Sequence, residues 1–149
     1  MKLFQQKINL LTIPKWIPVL LLVIAVIGFA DATYLTVEHY QNEIPPCTIG
    51  GCETVLTSVY ASVLGIPMSL LGALYYLVIA VSLIVFLDAK KELALRIPSL
   101  FSVFGLLASL WFTFLQIFII KAFCPYCAVS AITSITIFIF SVYLLKKHE

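Results

Sequence analysis

Four apolar runs, each about the length needed to cross a bilayer, constrain this chain more than any other feature. A helix needs roughly 20 mostly apolar residues to span the hydrocarbon core. The runs fall at about 16–38, 66–87, 97–120 and 124–145. What remains is an outer stretch at about 39–65, a basic connection before 97 and a short turn at about 121–124. Of the 149 residues, 62% are hydrophobic and 11% charged. That is too little polar surface to cover a water-soluble globule, so lipid must cover it. The expected fold class is an all-α integral membrane protein, a four-transmembrane-helix bundle forming one domain over 1–149. Pro18 and Pro98 each fall in the opening turn of an expected span, where the missing N–H has no intrahelical partner anyway.

The first run also has the outline of a cleaved signal, with Ala30-Asp31-Ala32 as an A-x-A site. The stretch before it is long for a signal's charged region, so it is read as a retained span. Lys and Arg then set the orientation. Lys2, Lys7, Lys15, Lys90, Lys91, Arg96, Lys146 and Lys147 fall on one side, against Lys121 on the other. Both termini therefore read as cytoplasmic, in a multi-pass protein of a bacterial inner membrane. All four cysteines, Cys47, Cys52, Cys124 and Cys127, come to lie on the outer, oxidising face. No basic cluster is interleaved with aromatics, so nucleic acid is not expected as a partner; membrane lipid is.

The outer stretch has two halves. Pro45-Pro46 and Gly50-Gly51 make the first irregular. Cys47 and Cys52 have four residues between them, two of them glycines, and such a loop can bend until the sulfurs meet. In the second half Val55, Leu56, Val59, Tyr60, Val63 and Leu64 recur at helical spacing until Gly65 and Pro67. That pattern predicts a short outer helix lying in the interface over the spans.

Cys124-Pro125-Tyr126-Cys127 opens the fourth run. Two intervening residues at a helix start bring both thiols within disulfide reach. The helix N-terminus favours a thiolate, the nucleophile of disulfide exchange. Other chemistries fit less well. The two spacings, on a flexible loop and a helix end with no histidine close by, make a poor structural zinc site, so no metal is expected. Haem attachment wants C-x-x-C-H, and Ala128 stands where that histidine belongs. Two structural disulfides in a non-enzymatic membrane scaffold are the plain alternative.

At these residues the chain resembles the vitamin K epoxide reductase-like membrane thiol oxidoreductases in their bacterial form. The resemblance rests on the four spans, "CTIGGC", "VLTSVYASVLGIPMSLLG", "CPYC" and the early "DATYLTVEHY". It implies a quinone-dependent thiol-disulfide oxidoreductase that supports disulfide-bond formation. Electrons would pass from a periplasmic thioredoxin-like (DsbA-like) protein to Cys47 and Cys52, then to Cys124 and Cys127. They would end on a diffusible quinone, ubiquinone or menaquinone. Cys47 would exchange with the protein partner, Cys52 would attack Cys124, and Cys127 would lie nearest the quinone. Many bacterial members carry a fused thioredoxin-like domain. This sequence runs out at Lys146-Lys147-His148-Glu149, so a separate partner is expected. Vertebrate members hold vitamin K through an Asn and a Tyr. Counting from Gly72 and from Cys127 reaches Met68 and Ala131 instead, so ordinary quinone reduction is expected rather than epoxide reduction. The DsbB-like quinone-linked thiol oxidases, of a different fold, usually present their C-x-x-C first; here it comes second.

Three further residues are candidates for the quinone site. Asp31 lies near the outer end of the first run, where a carboxylate is costly and suggests function, though an interfacial, hydrogen-bonded carboxylate fits the same position. Ser58 matches a serine of the family's loop helix. Phe112, with Trp111, Phe114 and Phe118, could line a flat pocket or simply face lipid. His39 could accept a proton or sit exposed at the interface. Gly72, Ala73, Gly105 and Ala108 read as structural, allowing helices to approach closely.

Overall fold

The computed structural model describes residues 13–147. Lys2, Lys7, His148 and Glu149, which entered the reading of the two ends, lie outside the described residues. The elements in chain order are α1 (Trp16–Gln41), α2 (Cys52–Leu56), β1 (Ser62–Val63), β2 (Ile66–Pro67), α3 (Met68–Ala89), α4 (Glu92–Phe114) and α5 (Pro125–Lys147). A π-helical segment, Leu115–Ile120, continues α4 to its end. Four helices are long and apolar enough to cross a membrane: Trp16–Gln41, Met68–Ala89, Leu93–Ile120 and Pro125–Lys146. The chain is a multi-pass membrane protein of the expected class.

The long helices close a ring. α1 packs against α3 and α5, and α4 packs against the same two from the other side. Ile17, Leu21, Ile79, Leu83, Leu95, Ile137 and Leu144 fill the interior, each 1% exposed or less. The outward faces stay apolar, as with Val23, Val81, Leu107 and Ile139, because hydrocarbon is their solvent. Small residues set how closely the helices approach. A Cβ on Gly28 would run into the ring of Tyr76, and one on Gly72 would rest 3.7 Å from the Cβ of Ala32. Gly72 of the second span and Gly105 of the third therefore sit at helix contacts, the structural role expected of them, whereas Ala108 is exposed.

Polar groups inside the bundle are paired across it. Tyr76, 2% exposed, donates from Oη to the carbonyl of Ser130 at 2.8 Å. The same oxygen shares hydrogen bonds with the hydroxyls of Thr133 (2.6 Å) and Ser134 (2.9 Å). This polar knot ties α3 to α5 where water cannot compete.

Two local expectations change. The outer helix exists but is only five residues long, Cys52–Leu56. Past Leu56 the Thr57 and Ser58 hydroxyls turn back onto the carbonyls of Glu53 (2.6 Å) and Val55 (2.7 Å), closing the helix. The rest of the apolar pattern enters a small hairpin, with Val63 opposite Ile66 and Ser62 opposite Pro67. Its two central residues, Leu64 (φ 54°) and Gly65 (φ 80°), both take positive φ, as a type I′ hairpin turn requires. Of the six residues that suggested one helical face, Val55 is buried, whereas Val59 is 83% and Leu64 98% exposed. The third long helix starts at Glu92, several residues before the expected start at about 97, so Pro98 lies inside it rather than in its first turn. Good helix formers at 93–96 carry the helix upstream. Ser99 donates to the carbonyl of Leu95 (3.1 Å) close to the bond that the proline cannot make.

Candidate active site

The ring of helices is capped at one end by the 42–67 stretch and by the 121–124 turn, and the four cysteines meet there. Cys47 and Cys52 form a disulfide, with their Cα atoms 6.2 Å apart. Cys124 and Cys127 are free thiols. Cys52 (1% exposed) and Cys124 (0%) are buried in one cluster with Val55, and Cys47, Cys127, Ile120 and Tyr126 pack around it. The loop pair thus presents Cys52 inward to Cys124, while the half-buried Cys47 reaches toward the outside.

Two contacts hold this arrangement. Gly51 has φ +127°, and a Cβ there would sit 2.8 Å from the carbonyl oxygen and 3.1 Å from the nitrogen of Phe123. Only glycine lets the loop lie flat on the backbone of the turn that carries Cys124. On the other side of the pair, Tyr126 Oη donates to the carbonyl of Pro46 at 3.2 Å, beside Cys47. The tyrosine of the C-P-Y-C motif thereby links the two cysteine pairs, and its ring lies 5.7 Å from that of Tyr34 on α1.

Cys124 stands just before α5, whose first residue is Pro125, and its carbonyl accepts from Ala128 N–H at 3.1 Å. Proline suits this first position because its ring presets the backbone for the helix. The hydrogen bond from the Cys127 thiol is the strongest influence on the Cys124 thiol. With the N–H groups of Cys127 and Tyr126, it pulls that thiol down from 9.0 to about 7, against burial and the Asp31 carboxylate, which push upward. The backbone N–H of Cys124 donates to Gln116 Oε1 at 3.2 Å. Gln116 is 8% exposed and belongs to the π-helical segment. A π turn rotates the residues after it relative to a regular helix, and such turns gather at functional sites. Gln116 was missed in the sequence, although an uncharged amide inside an apolar run is a visible signal.

Below the cysteines a cavity of about 720 Å³ opens between the helices, within the range that holds cofactor-sized ligands. Its walls are mostly apolar, with Leu35, Val55, Leu71, Phe104 and Ile120 among them. Cys127 stands in the wall and Cys124 does not. Phe112 and Ser58 also line it, as do His39, Met68 and Ala131. The Ser58 hydroxyl is already spent on the carbonyl of Val55. Asp31 is not part of the wall. It accepts a hydrogen bond from the wall residue Ser130 at 2.7 Å. Trp111, Phe114 and Phe118 are 57%, 46% and 63% exposed and stack on one another along the outside of the bundle, so of that aromatic group only Phe112 faces the cavity. Among the described residues no group of His, Cys, Asp or Glu could hold a metal ion.

Residues 19–142 match the model of the vitamin K epoxide reductase family. Over 128 residues the chain is 33% identical to a protein of Arabidopsis thaliana named thiol-disulfide oxidoreductase LTO1. That match takes in 80% of this chain and 34% of the plant protein, so the chain spans about a third of the length of the curated relative it matches.

Proposed function

Because the chain belongs to the vitamin K epoxide reductase family, we propose that it is a membrane thiol oxidoreductase that carries electrons from a thioredoxin-like protein to a quinone. The observation that carries the reading is the burial of Cys52 and Cys124 in one cluster while Cys127 lines the cavity. One pair faces a protein, the other a lipid-soluble oxidant, and the two sulfurs that must exchange are packed together. The name of the plant relative, a thiol-disulfide oxidoreductase, fits the same chemistry.

The relay runs in three exchanges. A thiolate of the reduced partner attacks Cys47 and releases Cys52 as a thiolate, and the partner's second thiol then frees Cys47 as the partner leaves oxidised. Cys52 next attacks Cys124 of a Cys124–Cys127 disulfide and releases Cys127. Cys47 resolves the mixed disulfide, restoring Cys47–Cys52 and leaving two thiols at Cys124 and Cys127. In the last step the two sulfurs join, and two electrons and two protons pass to the quinone, giving quinol. In this relay the state that meets the quinone has Cys47 and Cys52 bonded and Cys124 and Cys127 as thiols. Cys124, held near pH 7 by its hydrogen bonds, supplies the thiolate that closes the disulfide onto Cys127. Phe112 offers a flat face for the quinone ring, and Asp31 steadies Ser130 in the cavity wall.

The excess of Lys and Arg on one side supports an orientation with the cysteines outside and both termini cytoplasmic, and a bacterial inner membrane fits that reading. Ubiquinone and menaquinone are both fitting oxidants, and a DsbA-like thioredoxin fold is the fitting electron donor. The test is quinone reduction by the purified protein, with either a reduced thioredoxin-like protein or dithiothreitol as donor. Wild type turns over with both, Cys127→Ser with neither, and Cys47→Ser with dithiothreitol only. If wild type reduces no quinone while its disulfides resist mild reductant, the cysteines are staples and the chain is a scaffold.

A further inference from the structure

Tyr75 and Tyr76 are neighbours with rings edge to face, centroids 4.9 Å apart. Their hydroxyls fare differently. Tyr76 Oη is saturated by Ser130, Thr133 and Ser134. Tyr75 Oη is equally removed from solvent and makes no hydrogen bond among the described residues. Ser134 lies beside it but is hydrogen-bonded to Tyr76 at 2.9 Å, and its geometry makes no bond with Tyr75. A buried hydroxyl without a partner lowers stability, and native structures keep few of them. Packing alone does not call for this one, since phenylalanine would fill the same volume.

The surroundings are arranged around that oxygen. Gly105 of α4 faces it, and a Cβ there would collide with the Tyr75 hydroxyl and ring. Tyr75 and Gly105 both line the cavity whose wall holds Cys127. The cavity is mostly apolar, and among the hydroxyl-bearing residues that line it Tyr75 is the one whose oxygen is both shielded from water and unengaged, so water competes little with an incoming acceptor for it.

We propose that Tyr75 donates a hydrogen bond to a carbonyl oxygen of the quinone and thereby orients the ring against Cys127. The inference rests on the quinone reading above. As the two sulfurs join and their electron pair moves to the quinone, negative charge builds on its oxygens. A preorganised O–H donor lowers the energy of that state more than that of the bound quinone. Tyr75 keeps its proton throughout; the two protons of the quinol balance the two lost by the thiols.

The test compares wild type with Tyr75→Phe, using purified full chain, dithiothreitol as donor and a short-tailed benzoquinone as acceptor. Two readouts move in opposite directions. The kcat/KM for the quinone falls about tenfold, while the thermal unfolding midpoint in detergent stays level or rises, because the variant removes an unpaired buried hydroxyl. An unchanged kcat/KM overturns the proposal while leaving the quinone reading intact. A midpoint that falls together with the rate also overturns it, because the hydroxyl is then structural. If wild type itself reduces no quinone, the reading beneath the proposal fails, and the proposal with it.

Discussion

Substituting Gly51 tests whether the loop pair must lie directly on the membrane pair. In Gly51→Ala the backbone at φ +127° becomes a conformation that L residues rarely adopt, and the new Cβ meets Phe123 O at 2.8 Å and Phe123 N at 3.1 Å. Both are backbone atoms, so no side chain can swing aside. Backbone strain of this kind costs about 1–3 kcal/mol, and the contact adds to it. A total of about 2–3 kcal/mol against the docked loop means roughly 30- to 150-fold fewer molecules with Cys52 beside Cys124. The assay is disulfide trapping in a Cys47→Ser, Cys127→Ser background, which leaves Cys52 and Cys124 to bond on mild oxidation. Non-reducing electrophoresis with mass spectrometry reads the yield over time. Gly50→Ala is the control, since Gly50 also has positive φ (63°) but nothing within 4 Å of its added Cβ. Its cost is about 1 kcal/mol, and its trapping slows less than tenfold. In otherwise native protein, Gly51→Ala slows electron flow from a protein donor, while quinone reduction driven by dithiothreitol persists. Equal trapping rates in Gly51→Ala and wild type would refute the argument that this backbone contact sets the distance between the pairs.

Two further outcomes follow from the described geometry. The Cys124 thiol, drawn down to about 7 from 9.0, gains its thiolate as pH rises through 7 and loses it as pH falls; in a Cys47→Ser, Cys52→Ser background, alkylation of Cys124 rises about tenfold per pH unit below 7 and flattens above it, read by mass spectrometry. Tyr76→Phe removes the knot between α3 and α5, leaving Thr133 to local carbonyls and Ser134 without its partner; it destabilises the bundle by about 1–3 kcal/mol, measured as a lower unfolding midpoint in detergent, the opposite of what Tyr75→Phe does one residue away.

The spans were legible because hydropathy and length measure the one thing lipid demands. Cysteine spacing likewise placed both pairs at one end of the bundle, since charge counting put both connections on the same side. The outer helix was over-read. Val55, Leu56, Val59, Tyr60, Val63 and Leu64 have helical spacing, yet the same residues serve a short turn and a hairpin. What decides is the hydroxyl chemistry of Thr57 and Ser58 and the positive φ of Leu64 and Gly65, which an apolar pattern does not register. Pro98 suggested a helix start because proline favours first turns, but residues upstream of it are good helix formers and carried the helix past it. Phe112 and its three aromatic neighbours look alike in sequence. Only the rotation of α4 turns Phe112 inward and leaves Trp111, Phe114 and Phe118 outside. Nor can two adjacent tyrosines be told apart without their partners across the bundle.

The unequal burial of the loop pair has a consequence for insulation. Cys47 is half-buried and Cys52 is 1% exposed. A small thiol diffusing in the surrounding water therefore meets one terminal of this disulfide and not the other. A reductant that attacks this loop disulfide must enter by the outer sulfur, and the thiolate it releases emerges at the inner one, in the same buried cluster as Cys124. Attack from water on this bond is thereby confined to one of its two sulfurs, which gives the loop disulfide a direction.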